Sequence, residues 1–402
     1  MSIMLSDKHL DKYADVLLWG IKKARVKKYK KNDLIMVRFD LGALKLAEIL
    51  QAKIIEMGLN PILRFNATPT MDLNFFGLSN SSQLLFQPPG SIELCNKLNG
   101  SIFLNAPESL THLRTIDPRK ISKTMIARKP LRDILNKREA QYAFGWTLCI
   151  LPTAEFAKQA KLSLKEYTNQ VIKACYLNKT NPAGKWEAIY KNARSLKRWL
   201  NSLRIKTLHI ESKHIDLKIL PGERRRWVGI SGHNIPSFEL FLSPDWRGTE
   251  GIYYANLPSF RSGNYIKGVR LEFKGGTAVK IKSQTGQNFV SKQLSMDKGA
   301  NKVGEFSLTD KRFSQINKFM ANTLFDENHG GTYGNCHLAV GSSYGDTFDG
   351  NPAQLTKDKM KKLGFNDSAL HWDLVNTEQK TVTAHLTSGK KVVIYENGEF
   401  QY

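Results

Sequence analysis

A β-rich run at Asp33–Phe39, a helical pattern at Ala43–Met57 and a second apolar run at Pro61–Phe65 follow one another with almost no spacer. Two strands joined through a helix lie parallel, because the crossover returns the chain to the end of the sheet where it began. The connecting helix must then cover one sheet face. An amphipathic pattern over Asp11–Val26, with Ala14, Val16, Leu17 and Ile21 at helical spacing, precedes this unit. Short apolar strands are predicted at Ser101–Leu104 and Thr147–Leu151, and helices at Leu164–Cys175 and Trp186–Leu200.

The pattern changes near residue 201. Strands are predicted at Thr207–Glu211, Ile215–Leu220, Gly251–Asn256, Lys267–Phe273, Thr277–Lys282 and Val392–Glu396, with Gly275-Gly276 marking a hairpin between two of them. One helix is expected to interrupt them, over Lys311–Leu324. At 402 residues the chain exceeds one ordinary core. The expected architecture is an α/β domain with a parallel sheet (1–200), followed by a mixed, strand-rich α+β domain (201–402).

Charge bears on partners rather than on fold. Lys and Arg outnumber Asp and Glu by 33 to 16 over residues 1–200 and by 27 to 20 over residues 201–402, giving +24 overall. The excess includes dense runs at Lys22–Lys31 and Arg119–Lys129. Such a field attracts polyanions, yet no zinc-finger, RNP or KH signature accompanies it. Four dispersed cysteines, Cys95, Cys149, Cys175 and Cys336, form no CxxC pair, which argues against a disulfide framework or a thiolate zinc site. No run approaches the roughly 18 apolar residues of a membrane span. Acidic residues interrupt the opening MSIMLSDKHLDKYADVLLWG where a signal peptide needs an apolar stretch, so a cytoplasmic chain is expected.

Imidazoles and carboxylates of the second half gather in short segments. His371 and Asp373 stand two apart in a strand-like run, so both project from one face. That pair suits a divalent cation, although an isolated pair of this kind is more often a structural hydrogen bond. His337 precedes the apolar run Leu338-Ala339-Val340 and follows a glycine-rich loop. Glu239 and Glu305 sit among large apolar neighbours, where a carboxylate must reach solvent or pair with a cation. HExxH is absent.

Five strings in order carry a resemblance: NIPSFELFLSPD (Asn234–Asp245), KGVRLEFKGG (Lys267–Gly276), GANKVGEF (Gly299–Phe306), TLFDENHGGTYGNCHLAVGSSY (Thr323–Tyr344) and SALHWDLV (Ser368–Val375). Together they resemble the aminopeptidase T and aminopeptidase S family of metallopeptidases, and a weaker N-terminal match extends the likeness over essentially the whole chain. The resemblance implies a metal-binding C-terminal domain and two divalent ions (Zn, Co, Mn or Mg) held by Glu239, Glu305, His337, His371 and Asp373. Glu305 would bridge them, Glu327 would act as general base or outer ligand, and Tyr344 would meet the substrate or its oxyanion. It further implies peptide substrates with a free N-terminus and a homodimer. His329 departs from the family pattern and reads as a bystander.

Two rivals compete. Gly341-Ser342-Ser343-Tyr344-Gly345 matches GxSxG, with Asp373 and His385 following in the order of a hydrolase triad. The chain after it is turn-rich where a nucleophile elbow needs a helix. The other rival is a basic anion- or nucleic-acid-binding protein that uses the N-terminal half.

Overall fold

Ser6 accepts the His9 N–H and starts the first helix, Asp7–Lys23, in the computed structural model, which describes residues 5–402. Residues 1–4, part of the signal-peptide reading, lie outside that range. The helix buries Leu10, Tyr13, Leu17 and Ile21, and Tyr13 Oη donates to the Ile150 carbonyl at 3.0 Å. Five parallel strands form the sheet beneath it, in the order Asn60–Phe65, Leu34–Phe39, Gly100–Asn105, Gly145–Ile150 and Asn234–Ile235. The crossover helix between the first two in sequence is Leu44–Glu56, as the sequence predicts. The last strand comes from the second half of the chain and pairs with Leu148 and Cys149. Phe238, just beyond it, stacks on Trp186 at 5.3 Å within the same core.

The remaining strands are antiparallel. An eight-stranded sheet takes in Ile205–Ser212, Asp216–Leu220, Asp245–Ala255, Val269–Lys274, Thr277–Lys282, Lys380–Leu386, Lys391–Glu396 and Glu399–Phe400. The predicted hairpin at Gly275-Gly276 joins two of them. A four-stranded sheet has the order His371–Asn376, Asn335–Gly341, Val303–Thr309, Glu239–Leu242. The two antiparallel sheets share one core, where Leu208, Ile210 and Leu217 meet Leu240, Phe306, Leu338 and Trp372. Tyr253 Oη crosses between them to the Leu374 carbonyl at 2.6 Å.

Two local readings fail. The helix Pro118–Ala140 is missing from the sequence reading, which registers only the basic run at its start. Its buried positions are confined to Ile121, Ser122 and Thr124, so almost no apolar stripe marks it, and Pro130 lies inside it. Conversely, Lys311–Leu324 is not a helix; only Thr323–Asp326 is helical there. Ile316, Met320 and Leu324 are buried at helix-like spacing, but by an irregular chain in which Ala321 has φ 52°. All four cysteines are free, three of them buried. No helix among the described residues is long and apolar enough to cross a membrane.

Candidate metal centre

Side-chain alternation in the four-stranded sheet divides two chemistries. Leu240, Phe306, Leu308, Leu338, Val340, Trp372 and Leu374 point to the apolar core. Their alternates on the other face are Glu239, Glu305, Ser307, His337, Ala339, His371 and Asp373. Register aligns these across strands: Thr309 faces Glu239, Ser307 faces His337, and Ala339 faces both Glu305 and Asp373. Small residues between the acids and imidazoles leave space for the longer side chains to converge. Gly341, with φ 106°, faces His371; a Cβ there would come within 2.2 Å of the Leu370 carbonyl. The first glycine of the GxSxG string thus serves strand packing.

Five of the residues singled out in the sequence meet on this face. His337 Nε2 lies 3.0 Å from Glu305 Oε1, 3.5 Å from Glu239 Oε2 and 3.8 Å from Asp373 Oδ1. His371 Nε2 lies 3.2 Å from Asp373 Oδ1 and 3.7 Å from Glu305 Oε2. Donor atoms therefore form two triads, Glu239–Glu305–His337 and Glu305–His371–Asp373, each with its atoms within 4.8 Å of one another. Glu305 belongs to both and turns a different oxygen toward each histidine.

The remaining candidates border this group. Glu327 is buried just after the helix Thr323–Asp326, where Asn234 Nδ2 donates to its Oε1 at 3.1 Å. The ring of Tyr344, 37% exposed, stands 4.7 Å from that of His371 and lines the same cavity as Glu305 and Glu327. His329 belongs to neither triad.

Charge is crowded here. Burial pushes Glu239 up to about 7, against the pull of His337 and with the added push of the nearby Glu305 and Asp373. Burial also drives Glu327 well above the usual carboxylate range, reinforced by Glu239, Asp373 and Glu305. Burial opposes charge on His337, yet its hydrogen bond to Glu305 and the surrounding carboxylates push it up to about 9. Asp373 is held well below the ordinary range because His371, His337 and Arg261 overcome its burial.

This donor set fits divalent cations. Buried carboxylates are costly unless paired, and imidazole nitrogen with carboxylate oxygen is ordinary ligation for such ions. His371 Nδ1 meets the Ser342 carbonyl at 2.8 Å, which fixes the proton there and leaves Nε2 as the free lone pair. Ser307 Oγ donates to Glu239 Oε2 at 3.0 Å. Ser307→Ala is expected to weaken metal affinity about tenfold, as loss of such an outer partner does, measurable by competition with a fluorescent chelator.

Sequence reasoning missed three neighbours. Ser307 was findable, since it follows Glu305 by two on one strand. Asn234 and Arg261 carried no local signal; Arg261, whose buried Nε has no hydrogen-bond partner, reaches Asp373 only through the fold.

The serine-hydrolase constellation does not assemble. Ser343 Oγ accepts the Asn366 N–H at 2.9 Å, and only the single turn Gly345–Thr347 follows it. Asp373 and His385 lie in different sheets.

The family model of the thermophilic metalloproteases (M29) matches residues 6–400. The chain belongs to this family. Among relatives, aminopeptidase AmpS of Bacillus subtilis (strain 168) is 28% identical over 270 residues, covering 64% of this chain and 63% of its own length. Aminopeptidase T of Thermus aquaticus is 25% identical over 268 residues, with 64% and 63% covered. The aligned part thus spans a little under two thirds of the length of each of these relatives. The solved structure of wild-type AmpT from Thermus thermophilus superposes with a TM-score of 0.78 at 20% identity, covering 98% of this chain and 99% of that one. The thermophilic metalloprotease fold, a parallel sheet followed by antiparallel ones, is therefore shared throughout.

Proposed function

We propose that this chain is a metal-dependent aminopeptidase that releases N-terminal residues from peptides with two divalent ions. The observation that carries the reading is Glu305, common to two donor triads and presenting one oxygen to each. Membership of the metalloprotease family and the aminopeptidase names of its relatives support the substrate class.

Glu239 and His337 would hold one ion, His371 and Asp373 the other, and Glu305 both. Zinc, cobalt, manganese and magnesium all suit such oxygen and nitrogen donors. Bound there, the ions would supply Lewis acidity toward the scissile carbonyl and toward a nucleophilic water. Glu327, as the carboxylate to which Asn234 Nδ2 donates, accepts the water's proton, and the burial that raises its pKa helps it hold that proton until it passes to the leaving amine. The Tyr344 hydroxyl donates to the oxyanion of the tetrahedral intermediate, a contribution of about 3 kcal/mol for one such donor. Further parts of the proposal are a cytoplasmic homodimer and a domain division near residue 200.

Exhaustive dialysis against a chelator is expected to abolish cleavage of aminoacyl-nitroanilides, and readdition of one of the four metals to restore it. Elemental analysis of the native protein should find two ions per chain. Activity that survives complete metal removal would refute the proposal.

A further inference from the structure

The donor triads open into a cavity of about 1610 Å³, larger than the roughly 300–1,000 Å³ of ordinary small-molecule sites. Outside the five proposed ligands its lining carries ten Lys and Arg against six Asp and Glu, Glu327 among them. The densest part is a wall formed by the helix Pro182–Ser202 and the segment that follows Arg225. Lys23 Nζ, Arg194 Cζ and Lys197 Nζ lie 4.8, 5.5 and 5.5 Å from the centroid of one ring, Tyr190. Lys23 has a carboxylate partner, Glu187, at 2.8 Å. Arg194, Lys197 and Arg226 have none within 4.0 Å among the described residues, although all three line the cavity. Lys197 and Arg226 are half-buried and held in place, Lys197 Nζ by the Gly229 carbonyl at 2.9 Å and Arg226 Nε by the Asp346 carbonyl at 3.0 Å.

This wall is joined to the metal centre through the backbone. Val228 and Phe241 exchange both backbone hydrogen bonds at 2.9 Å, which sets the wall's segment alongside the strand that begins at Glu239. Gly229 packs so closely that a Cβ there would stand 2.1 Å from the Glu239 carbonyl. Like charges brought together beside a cavity, with no carboxylate in ion-pair contact and only Asp346 acting on Arg226 from farther away, favour an anion from outside. Burial and the neighbouring Arg194 and Arg226 lower the Lys197 pKa, consistent with the missing counter-charge.

We infer that Arg194, Lys197 and Arg226 form a subsite for a carboxylate carried by the leaving portion of the peptide, so that short peptides with a free C-terminus or an acidic residue near it are the favoured substrates. This rests on the aminopeptidase reading. The metal centre takes the amino end, and the basic wall takes the negative end of the same molecule. It also gives a use to part of the chain's excess charge that needs no nucleic acid.

The test is a ladder of peptides, leucine followed by one to five glycines, each as free acid and as C-terminal amide. At the length that spans the two sites, the free acid should exceed the amide in kcat/KM by about tenfold, the worth of one hydrogen bond to a charged group. An amidated peptide with glutamate in the last position separates the two sources of carboxylate, since only a side chain can restore the advantage there. In Lys197→Met and, separately, Arg226→Gln, the acid-to-amide ratio should fall toward one; cleavage of the amide reports that each variant is folded. Equal rates for acid and amide at every length overturn the subsite, as does a preference that both variants retain. Failure to cleave any member of the ladder, or any aminoacyl-nitroanilide, instead overturns the aminopeptidase reading on which the subsite rests.

Discussion

Glu305→Ala is expected to remove essentially all aminopeptidase activity and both metal ions together. Replacing any other proposed ligand, Glu239, His337, His371 or Asp373, takes donors from one triad, whereas Glu305 serves both. The loss should exceed the roughly 10–100-fold that outer partners of ligands cost. Stability provides an independent readout. A ligand that binds only the folded chain stabilises it by about 4 kcal/mol at a thousandfold excess over its dissociation constant. In the native protein the ions would also neutralise the neighbouring carboxylates that add to the burial driving Glu239 and Glu327 upward. Thermal denaturation with and without chelator should therefore show a large metal-dependent shift for the native protein and almost none for Glu305→Ala. A variant that still bound two ions with native affinity would show that Glu305 is not shared between them.

How far the sequence could be read follows from the range of the forces involved. His371 and Asp373 share a face through simple alternation, so their pairing was legible from a spacing of two. The parallel unit in the first 65 residues was legible for a similar reason, since local periodicity and short connections leave one arrangement. Glu239, Glu305 and His337 are different. Each is placed by pairing between strands far apart in the chain, and a one-residue slip in any register would turn it into the apolar core. No local pattern encodes that register, and only the ordered family strings linked these residues before the fold did. The helix Pro118–Ala140 escaped because charge dominates its surface, and the basic wall escaped because its members come from two separate segments.

The misread segment at Lys311–Leu324 yields the second large expected effect, in stability. Its apolar spacing imitates a helix, but Asp326 captures backbone N–H groups that a helix would need, and Asp310 ties the start of the segment to Phe400. Asp310 accepts the N–H groups of Arg312 and Phe400 at 2.8 Å each. Asp326 accepts the Met320 N–H at 2.7 Å through one oxygen and the Asn322 N–H at 3.0 Å through the other. Tyr167 Oη secures the same turn by donating to the Met320 carbonyl at 2.9 Å. Asp326→Ala leaves two N–H groups without an acceptor in a buried turn, each costing about 1–3 kcal/mol, so a loss near 4 kcal/mol is expected in urea denaturation. Asp326→Asn keeps one acceptor but turns an amide N–H₂ toward the second donor, so it should recover only part of the loss. Glu327 is the next residue, and its carbonyl accepts from Thr309 Oγ1 at 3.1 Å. Loosening the turn should therefore lower kcat through the proposed general base in whatever fraction stays folded, with metal content unchanged, because none of the five proposed ligands lies on this segment. If Asp326→Ala instead melted like the native protein, the two captured N–H groups would not be what holds the segment out of a helix.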